Sequence, residues 1–307
     1  MLDVLILGSG PAGLSAAIYA SRANLSYRII EKEADGAGQI KSTSIVDNYP
    51  GFPQISGYAL GEALRNHAIA LGAEFCIGEV TAIEKLEHQQ TGKSFFRVSI
   101  NNDSIPPLES KTVLYALGAE HLRLGIPGEE ELIGAGICFC SVCDGAFFKG
   151  LDVAVIGGGN SALGDALHMS TLAKKVYLVH RRSSFRAAAS IVERVKNTPN
   201  IELVLDAVPS RFEGEDELEA VLMTDGRRIE VQGAFIAVGM KPRTELAAGL
   251  VPLDARGYIV SDETGITSSD GFFVAGDART KTLRQVITAA ADGANAIQSV
   301  TDYLQVY

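Results

Sequence analysis

A repeated strand–glycine–helix pattern constrains the fold of this chain more than any other feature. Residues 4–17 read VLILGSGPAGLSAA and residues 153–166 read VAVIGGGNSALGDA, so the copies are offset by 149 residues, from Val4 to Val153. In each copy a short apolar run precedes G-x-G-x-x-G or G-x-G-x-x-A, and a stretch rich in Ala and Leu follows. Such apolar runs indicate buried parallel strands, and the following stretch favours a helix. A second apolar run, SYRII or KVYLVH, closes each copy.

The glycines in these copies have separate physical roles. Gly8 permits the tight turn out of the first strand, because glycine tolerates backbone angles that a Cβ forbids. Gly10 lets the backbone approach a pyrophosphate, and Gly13 allows close packing of the helix on the strand. The free N–H groups at the helix start favour phosphate. The corresponding positions of the second copy are Gly157, Gly159 and Ala162. We therefore expect two dinucleotide-binding units in an α/β chain.

The two copies differ where the second strand ends. Glu31 lies about 20 residues past the first glycines, where a carboxylate accepts hydrogen bonds from ribose hydroxyls. The equivalent position in the second copy is His180, which Arg181 and Arg182 follow. Guanidinium groups bind phosphate in a bidentate manner, which suits the 2′-phosphate that distinguishes NADP from NAD. The first unit is thus predicted to bind an ADP-ribose group with free hydroxyls, such as FAD, and the second NADPH.

The positions of further strands predict that the second unit interrupts the first. KTVLYALG at 111–118 and GAFIAVG at 233–239 end in glycine and are predicted to be the strands that close the two units. A last strand-like run, GFFVAGD at 271–277, precedes a helix from about position 284, and this piece is too small to be a domain. We therefore predict two Rossmann-like, three-layer ββα domains. The first comprises 1–117 and 241–307, and the second, 118–240, is inserted into it.

Shorter elements are assigned within this frame. We expect a helix over 58–71, strands near 74–80 and 94–100, and a hairpin connection in the polar stretch 208–219.

Composition excludes several other classes of protein. Hydrophobic residues make up 47% of the 307 residues and charged residues 21%, which is enough apolar material for a core and excludes a disordered chain. No apolar run reaches the roughly 18 residues that span a bilayer. The net charge of -10 argues against a nucleic-acid scaffold. The N-terminus lacks a basic segment before its apolar run, and four cysteines are too few for a disulfide scaffold, so a cytoplasmic location is expected.

Three cysteines crowd into CFCSVCDG at 138–145. Cys140 and Cys143 form a C-x-x-C motif, which suits a small redox loop, and Asp144 could move protons during thiol–disulfide exchange. Cys138 is read either as a small buried apolar residue or as a third thiol near the pair. Cys76 lies in an apolar stretch and is read as structural. A closed metal site needs about four ligands, and no second C-x-x-C or His pair is present, so no metal is predicted.

The order of these motifs resembles the low-molecular-weight thioredoxin reductases, which are NADPH-dependent FAD proteins. The resemblance covers essentially the whole chain and includes GQI at 38–40, NYPGFP at 48–53 and the long segment 274–294. In that family these segments contact the flavin. The resemblance therefore adds these FAD contacts: Pro11, Ala12, Gly38, Gln39, Asn48, Gly276, Asp277, Arg284, Gln285 and Val286. It adds these NADPH contacts: Asn160, Ser161 and Arg186.

The resemblance also implies a mechanism. A hydride passes from NADPH to FAD, the reduced flavin reduces the disulfide of Cys140 and Cys143, and the dithiol reduces thioredoxin. By this analogy Cys143 faces the flavin, Cys140 attacks the protein disulfide and Asp144 is the general acid. The family is homodimeric, and its two domains rotate against each other during turnover.

The chain departs from the family pattern at one place. The family carries two glutamates or similar residues after its second glycine loop, where this chain has Gly164 and Asp165. This difference bears on the efficiency of NADPH use more than on its binding.

Three alternative functions remain open: a reductase with ferredoxin as the electron donor, a reductase with a different redoxin as the acceptor, and a flavin-binding redox sensor without turnover.

Overall fold

The structure is a computed structural model that describes residues 1–43 and 45–307. The chain divides into two compact units. The first consists of Met1–Glu120 together with Lys241–Tyr307, and the second is His121–Met240. The first unit is therefore built from two separate segments of the chain.

A seven-stranded sheet forms the centre of the first unit. Its parallel part contains, in spatial order, β3 (Phe75–Ile77), β2 (Tyr27–Glu31), β1 (Leu2–Leu7), β6 (Leu108–Tyr115) and β17 (Phe272–Val274). The antiparallel strands β4 (Val80–Glu87) and β5 (Ser94–Ile100) extend the sheet from the first half of β6. The unit also contains the helices α1 (Pro11–Arg22), α2 (Gly57–Ala70) and α6 (Val286–Val306).

The alternation of side chains along β1 explains why its apolar run is continuous. Val4 and Ile6 belong to the core that β1 shares with α1, α2 and α6. Leu5 and Leu7 belong to the core on the opposite face, which includes residues of β4, β5 and β6. Successive side chains of a strand point to opposite faces, so a strand that is covered on both sides must be apolar at every position.

Close packing of α6 on α1 completes the helical layer of the first unit. A Cβ at Gly293 would lie 2.1 Å from the Ala12 carbonyl oxygen, so only glycine permits this approach of the two helices. The residue pair thereby connects the start of the chain to its last helix.

The second unit repeats the same plan. Its parallel sheet runs β11 (Ile201–Val204), β10 (Lys175–Val179), β9 (Asp152–Ile156), β15 (Gly233–Ile236) and β8 (Ile137–Cys138). It also contains α3 (Ser141–Asp144), α4 (Asn160–Ser170) and α5 (Ala189–Lys196). A core that includes residues of α4 and α5 covers one face of this sheet. The other face is covered by a core that includes residues of the antiparallel strands β12 (Pro209–Glu213), β13 (Ala220–Met223) and β14 (Arg228–Glu230). The predicted α/β class with Rossmann-like, parallel central sheets is confirmed.

Some elements differ from the sequence predictions. The predicted strand near 74–80 is the short strand β3, and β4 is a separate strand that the sequence reading missed. The polar stretch 208–219 contains β12 and the connection to β13. Two short strands, β7 (Ala119–His121) and β16 (Met240–Pro242), pair where the chain leaves and re-enters the first unit. In addition, 3₁₀ turns cover Gly38–Ser42, Gly145–Phe148, Glu245–Ala247 and Gly276–Ala278.

Candidate functional site

The first glycine loop joins β1 to α1, and its backbone leaves no room for side chains at two positions. Gly8 has φ of +98°, and a Cβ there would lie 2.7 Å from the Ala116 carbonyl oxygen. A Cβ at Gly13 would lie 1.9 Å from the Gly8 carbonyl oxygen, so α1 packs directly on the turn. These two positions therefore carry the tight turn and the helix–strand packing that the motif predicts.

The start of α1 is open where a phosphate would approach. Gly10 is the N-cap residue and provides no side-chain cap, and Pro11 and Ala12 form the first turn. Among the described residues, a Cβ at Gly10 would meet only Gly38 Cα, at 3.8 Å. The first N–H groups of a helix lack intrahelical partners and favour an anion. The loop therefore fits the pyrophosphate of a dinucleotide.

Glu31 is held beside this loop at the end of β2. Its Oε2 accepts hydrogen bonds from the Ser9 N–H at 2.9 Å and from Ser9 Oγ at 2.7 Å. Its Oε1 accepts from the Glu33 N–H at 3.1 Å. The carboxylate has two oxygens with about four acceptor positions, so these bonds leave capacity for ribose hydroxyls. Ser9, which the sequence reading did not single out, fixes the orientation of this carboxylate.

The segment around Gly38 lies against the glycine loop. Gly38 has φ of +71°, and a Cβ there would lie 2.8 Å from Gly10 Cα, so the two backbones meet without side chains. The next residue, Gln39, donates a hydrogen bond from Nε2 to the Ala119 carbonyl oxygen. Gly38 and Gln39, two of the predicted flavin contacts, thus belong to a segment that lies against the first glycine loop. Their position in the sequence does not reveal this proximity.

The start of α6 brings together two other predicted flavin contacts from distant parts of the chain. Gln285 is the N-cap of α6 and Val286 its first residue. The Gln285 N–H donates to Thr288 Oγ1 at 3.1 Å, which forms half of a capping box. Asn48 Nδ2 donates to Gln285 Oε1 at 3.1 Å.

The turn before α6 contains buried polar atoms that lack hydrogen-bond partners. Within residues 1–43 and 45–307, Asp277 Oδ1 and Arg284 Nε are buried and have no such partner. Lys281 Nζ lies 3.9 Å from Asp277 Oδ1, which is longer than a hydrogen bond. Burial raises the pKa of Asp277 above its usual range. Buried polar atoms are almost always satisfied, so these two fit a site where ligand hydroxyls complete the bonding, as the ribityl chain of a flavin would.

A buried ionic network holds this turn in place. Asp292 of α6 accepts a hydrogen bond from the Gly276 N–H at 3.0 Å. Its two oxygens also accept from Arg279 Nη2 at 2.6 Å and Nε at 3.0 Å, and from Lys281 Nζ at 2.8 Å. All three charged side chains are buried. Asp292 thereby fixes the backbone that carries Asp277.

The second glycine loop has the same construction. A Cβ at Gly157 would lie 2.4 Å from the Ala237 carbonyl oxygen and 2.6 Å from the Cβ of the buried Ala162, whereas one at Gly159 would meet nothing within 4 Å. Asn160 and Ser161 are exposed at the start of α4. The open position and the uncapped helix start fit a second pyrophosphate.

A basic loop follows β10 and is fastened to the second glycine loop. The Arg186 N–H donates to the Gly158 carbonyl oxygen at 2.9 Å, and the Ala188 N–H donates to Asn160 Oδ1 at 2.9 Å. Each glycine loop is thus contacted by a second segment of its own unit close to the start of the helix. In the first unit this is the segment around Gly38, and in the second it is the basic loop.

The predicted basic residues divide into one buried ring and three exposed guanidinium groups. His180 is buried, stacks on Phe185 at 5.3 Å between ring centroids, and would clash with a Cβ at Gly158. Burial lowers the pKa of His180, so its ring packs as the neutral form. Arg181, Arg182 and Arg186 are exposed, and none forms an ion pair with another described residue. The three arginines are therefore available to a 2′-phosphate. The sequence had predicted His180 as a contact of the same nucleotide, and that role remains a prediction.

The redox candidate is a disulfide at the start of α3. Cys140 and Cys143 are joined, with 5.2 Å between their Cα atoms. Cys140 is the N-cap of α3, and its Sγ accepts a hydrogen bond from the Cys143 N–H at 3.2 Å. An N–H donor at a sulfur stabilises negative charge there, and the start of a helical turn does the same.

Asp144 and Cys138 flank this disulfide. Burial raises the pKa of Asp144 to about 6, and a hydrogen bond with the Cys138 side chain opposes that rise. Burial and the neighbouring carboxyl together raise the pKa of the Cys138 thiol. A carboxyl group whose pKa lies near 6 can hold and release a proton close to neutral pH. Cys138 is thus a protonated partner of Asp144, and Cys76 is buried in β3.

The part of the chain that the structure describes contains neither a metal cluster nor a membrane-spanning helix. In residues 1–43 and 45–307 no group of three or more His, Cys, Asp or Glu side chains could hold a metal ion. Across the same residues no helix is long and apolar enough to cross a membrane.

Comparison with known proteins gives the family. The family model for pyridine nucleotide-disulphide oxidoreductases matches residues 2–293. The thioredoxin reductase of Treponema pallidum is 40% identical over 98% of this chain and 97% of its own length. That of Listeria monocytogenes is 38% identical over 99% of this chain and 94% of its own length. The crystal structure of thioredoxin reductase from Streptococcus pyogenes is 39% identical, with a TM-score of 0.92 over 100% of this chain and 99% of its own.

The fold, the two glycine loops and the disulfide define the class to which the chain belongs. It belongs to the pyridine nucleotide-disulphide oxidoreductase family, because the family model matches nearly all of it. Within this family it is similar along its whole length to the thioredoxin reductases, and the resemblance seen in the sequence is confirmed.

The sequence did not predict the contacts of three side chains in the candidate site. Ser9 binds Glu31, Asp292 holds the turn before α6, and Asp165 binds Ser141 between the two cysteines. One signal was available for Asp292, since a lone acid among small residues of an apolar helix indicates a buried ionic contact. No sequence signal pairs Ser141 with Asp165, which lie 24 positions apart.

Proposed function

We propose that this protein is a thioredoxin-disulfide reductase that uses FAD and NADPH. The observation that carries the proposal is the disulfide of Cys140 and Cys143 beside a carboxyl group whose pKa is about 6, in a unit that also has a nucleotide loop. Full-length similarity to proteins named thioredoxin reductase supports thioredoxin as the disulfide substrate.

The two nucleotides have separate sites in this proposal. The first unit, Met1–Glu120 with Lys241–Tyr307, binds FAD through the loop that contains Gly10, through Glu31, and through the polar atoms of Asp277 and Arg284. The second unit, His121–Met240, binds NADPH through the loop that contains Gly159 and through three arginines. The arginines are Arg181, Arg182 and Arg186. Bound there, the two nucleotides supply hydride and electron-transfer chemistry that no side chain provides.

The side chains carry out the exchange with the protein substrate. Reduction breaks the S–S bond of Cys140 and Cys143 and adds two electrons and two protons, one to each sulfur. Cys140 then loses its proton, and its thiolate attacks the thioredoxin disulfide. A mixed disulfide forms as the thioredoxin S–S bond breaks, and the displaced thioredoxin sulfur leaves as a thiolate and takes up a proton. Cys143 attacks that intermediate, which restores the intramolecular disulfide and releases thioredoxin as a dithiol. Asp144 holds and transfers a proton in these steps, as its raised pKa permits.

Three further features complete the proposal. The protein acts as a homodimer, as the resemblance to its family implies, and in the cytoplasm, as its small number of cysteines favours. The exposed arginines favour NADPH over ferredoxin as the donor, because a protein donor has no use for a 2′-phosphate site. The carboxyl group beside the disulfide favours turnover over a role as a sensor.

Anaerobic titration tests the donor and the acceptor in turn. The purified protein should carry one FAD per chain, and NADPH should bleach the flavin absorbance within the time of one turnover. Oxidised thioredoxin should then restore the absorbance. Bleaching by reduced ferredoxin but not by NADPH would refute the proposed donor, and bleaching without recovery on addition of thioredoxin would refute the proposed acceptor.

A further inference from the structure

A hydrogen bond ties the redox turn to the helix of the second glycine loop. Ser141 lies between Cys140 and Cys143 in the sequence, and its Oγ donates to Asp165 Oδ1 at 2.5 Å. Asp165 belongs to α4, the helix that begins at the second glycine loop. Ser141 is buried, whereas its neighbour Val142 is 63% exposed. The Ser141 side of the turn therefore packs on α4, and the Val142 side is exposed.

A second contact seats the same turn on α4. A Cβ at Gly145 would lie 2.8 Å from Met169 Sδ and 3.3 Å from Leu172 Cδ1, so the backbone after Asp144 packs closely on the end of this helix. The turn is thus fixed before and after Cys143. The Gly145 contact is a matter of close packing, whereas the contact of Ser141 is a directed hydrogen bond.

The surroundings of Asp165 make this bond a strong one. Burial raises the pKa of Asp165, while the Ser141 hydroxyl and the charge of His168 oppose that rise by stabilising the carboxylate. A hydrogen bond to a carboxylate is shorter and about twice as strong as one between neutral groups. Gly164, the neighbouring residue, is exposed and has no side chain that could replace this bond.

We propose that Asp165 is a positioning residue which, through its bond to Ser141, keeps the sulfurs of Cys140 and Cys143 close after the disulfide is reduced. In the oxidised state the S–S bond itself fixes the turn. In the dithiol state only non-covalent contacts do so. Backbone hydrogen bonds from the Cys143 and Asp144 N–H groups to the Cys140 carbonyl oxygen close the turn, and the Ser141–Asp165 bond anchors it to α4. The pair therefore sets the balance between the disulfide and the dithiol.

The direction of the effect follows from this difference between the two states. Loss of the bond loosens the dithiol more than the disulfide, so the two thiols meet less often and the disulfide re-forms less readily. The equilibrium then shifts towards the dithiol. The use of this equilibrium in turnover rests on the proposed function, but the equilibrium itself requires neither NADPH nor thioredoxin.

Equilibration in glutathione buffers, followed by alkylation of free thiols, measures the effect. Two glutathione thiols are oxidised to glutathione disulfide as the S–S bond of Cys140 and Cys143 opens to two thiols. Ser141→Ala should shift the equilibrium constant about tenfold towards the dithiol, which corresponds to about 30 mV for this two-electron couple. Ser170→Ala is the matched control, because it removes a hydroxyl bond on the same helix, to the Leu167 carbonyl oxygen, away from the cysteines. It should leave the constant within about twofold of wild type.

Variants of the carboxylate separate positioning from charge. Asp165→Ala should shift the equilibrium in the same direction as Ser141→Ala, and the double variant should shift it no further than either single change. Asp165→Asn keeps an oxygen that accepts from Ser141 but forms a neutral, weaker bond, so its shift should be clearly smaller than that of Ser141→Ala. If Asp165→Ala fails to fold, Ser141→Ala and Asp165→Asn decide the matter.

Two results would overturn this proposal. One is a constant for Ser141→Ala within about twofold of wild type; the other is an Asp165→Asn shift as large as that of Ser141→Ala, which would assign the effect to charge. The proposed thioredoxin reduction can fail without changing either result, since the assay contains only the protein and glutathione.

Discussion

Replacement of Asp292 by alanine tests how the turn before α6 is held. Its carboxylate accepts four hydrogen bonds, from the Gly276 N–H, from two nitrogens of Arg279 and from Lys281 Nζ. Asp292→Ala would leave two buried cations without their partner. Removing one member of a buried ion pair costs about 3–5 kcal/mol, because the remaining charge is neither paired nor hydrated. We expect the free energy of unfolding of the first unit to fall by that amount.

Chemical denaturation of the flavin-depleted protein measures this change, with Asp302→Ala as the control. Asp302 lies on the same helix, is exposed, and accepts one hydrogen bond from Gln298. An exposed change of this kind alters stability by about 0.5 kcal/mol or less. For a unit of 150–250 residues each kcal/mol lowers Tm by about 2–4 °C, so thermal melting gives a second reading. If Asp292→Ala is no less stable than Asp302→Ala, the reasoning that buried Arg279 and Lys281 require this carboxylate is wrong.

Three further predictions concern the nucleotide sites and the proton. Arg181→Ala combined with Arg182→Ala should raise KM for NADPH at least about tenfold while KM for NADH changes little, since only NADPH has the 2′-phosphate. Steady-state kinetics with both nucleotides measures this difference, and an equal rise in the two KM values would contradict the assignment of these arginines. Gly10→Ala should fold but lose bound flavin, because its Cβ would meet only Gly38 Cα among the residues that the structure describes and would point at the proposed pyrophosphate. Gly164→Ala, a matched change at an open helical position, should retain flavin and gain up to about 1 kcal/mol of stability. Equal flavin contents in the Gly10→Ala and Gly164→Ala variants would contradict the assignment of Gly10 to the pyrophosphate site. Asp144→Asn should slow disulfide exchange about 10²-fold. The pKa of Asp144 is raised to about 6, so the wild-type rate that depends on its protonated form should fall as pH rises through about 6, and a pH profile that is unchanged in the variant would exclude this role.

The repeated motif made the centre of each unit predictable. Its glycines and apolar runs depend on local backbone geometry and on burial on both faces of a strand, which the sequence displays directly. β4 was missed because VTAIEKLE contains charged residues on its exposed side and only partial apolar alternation. A half-exposed antiparallel strand gives a weaker signal than a buried parallel one.

Contacts between distant segments could not be predicted in the same way. Asn48 meets Gln285 across 237 positions, and Ser141 meets Asp165 across 24. Such pairs depend on how helices pack on the sheet, which no local pattern encodes. His180 also has a contact that no local pattern encodes, because its ring is buried and stacks on Phe185, while its predicted phosphate contact remains a prediction.

The most direct test of the central claim is the reduction of oxidised thioredoxin, followed as NADPH oxidation, by the wild type and three cysteine variants. We predict turnover by the wild type, no turnover by Cys140→Ser or Cys143→Ser, and turnover close to wild type for Cys76→Ala, whose thiol is buried in β3 of the first unit. Absence of NADPH-dependent thioredoxin reduction by the wild type, or full activity of Cys140→Ser, would contradict the account.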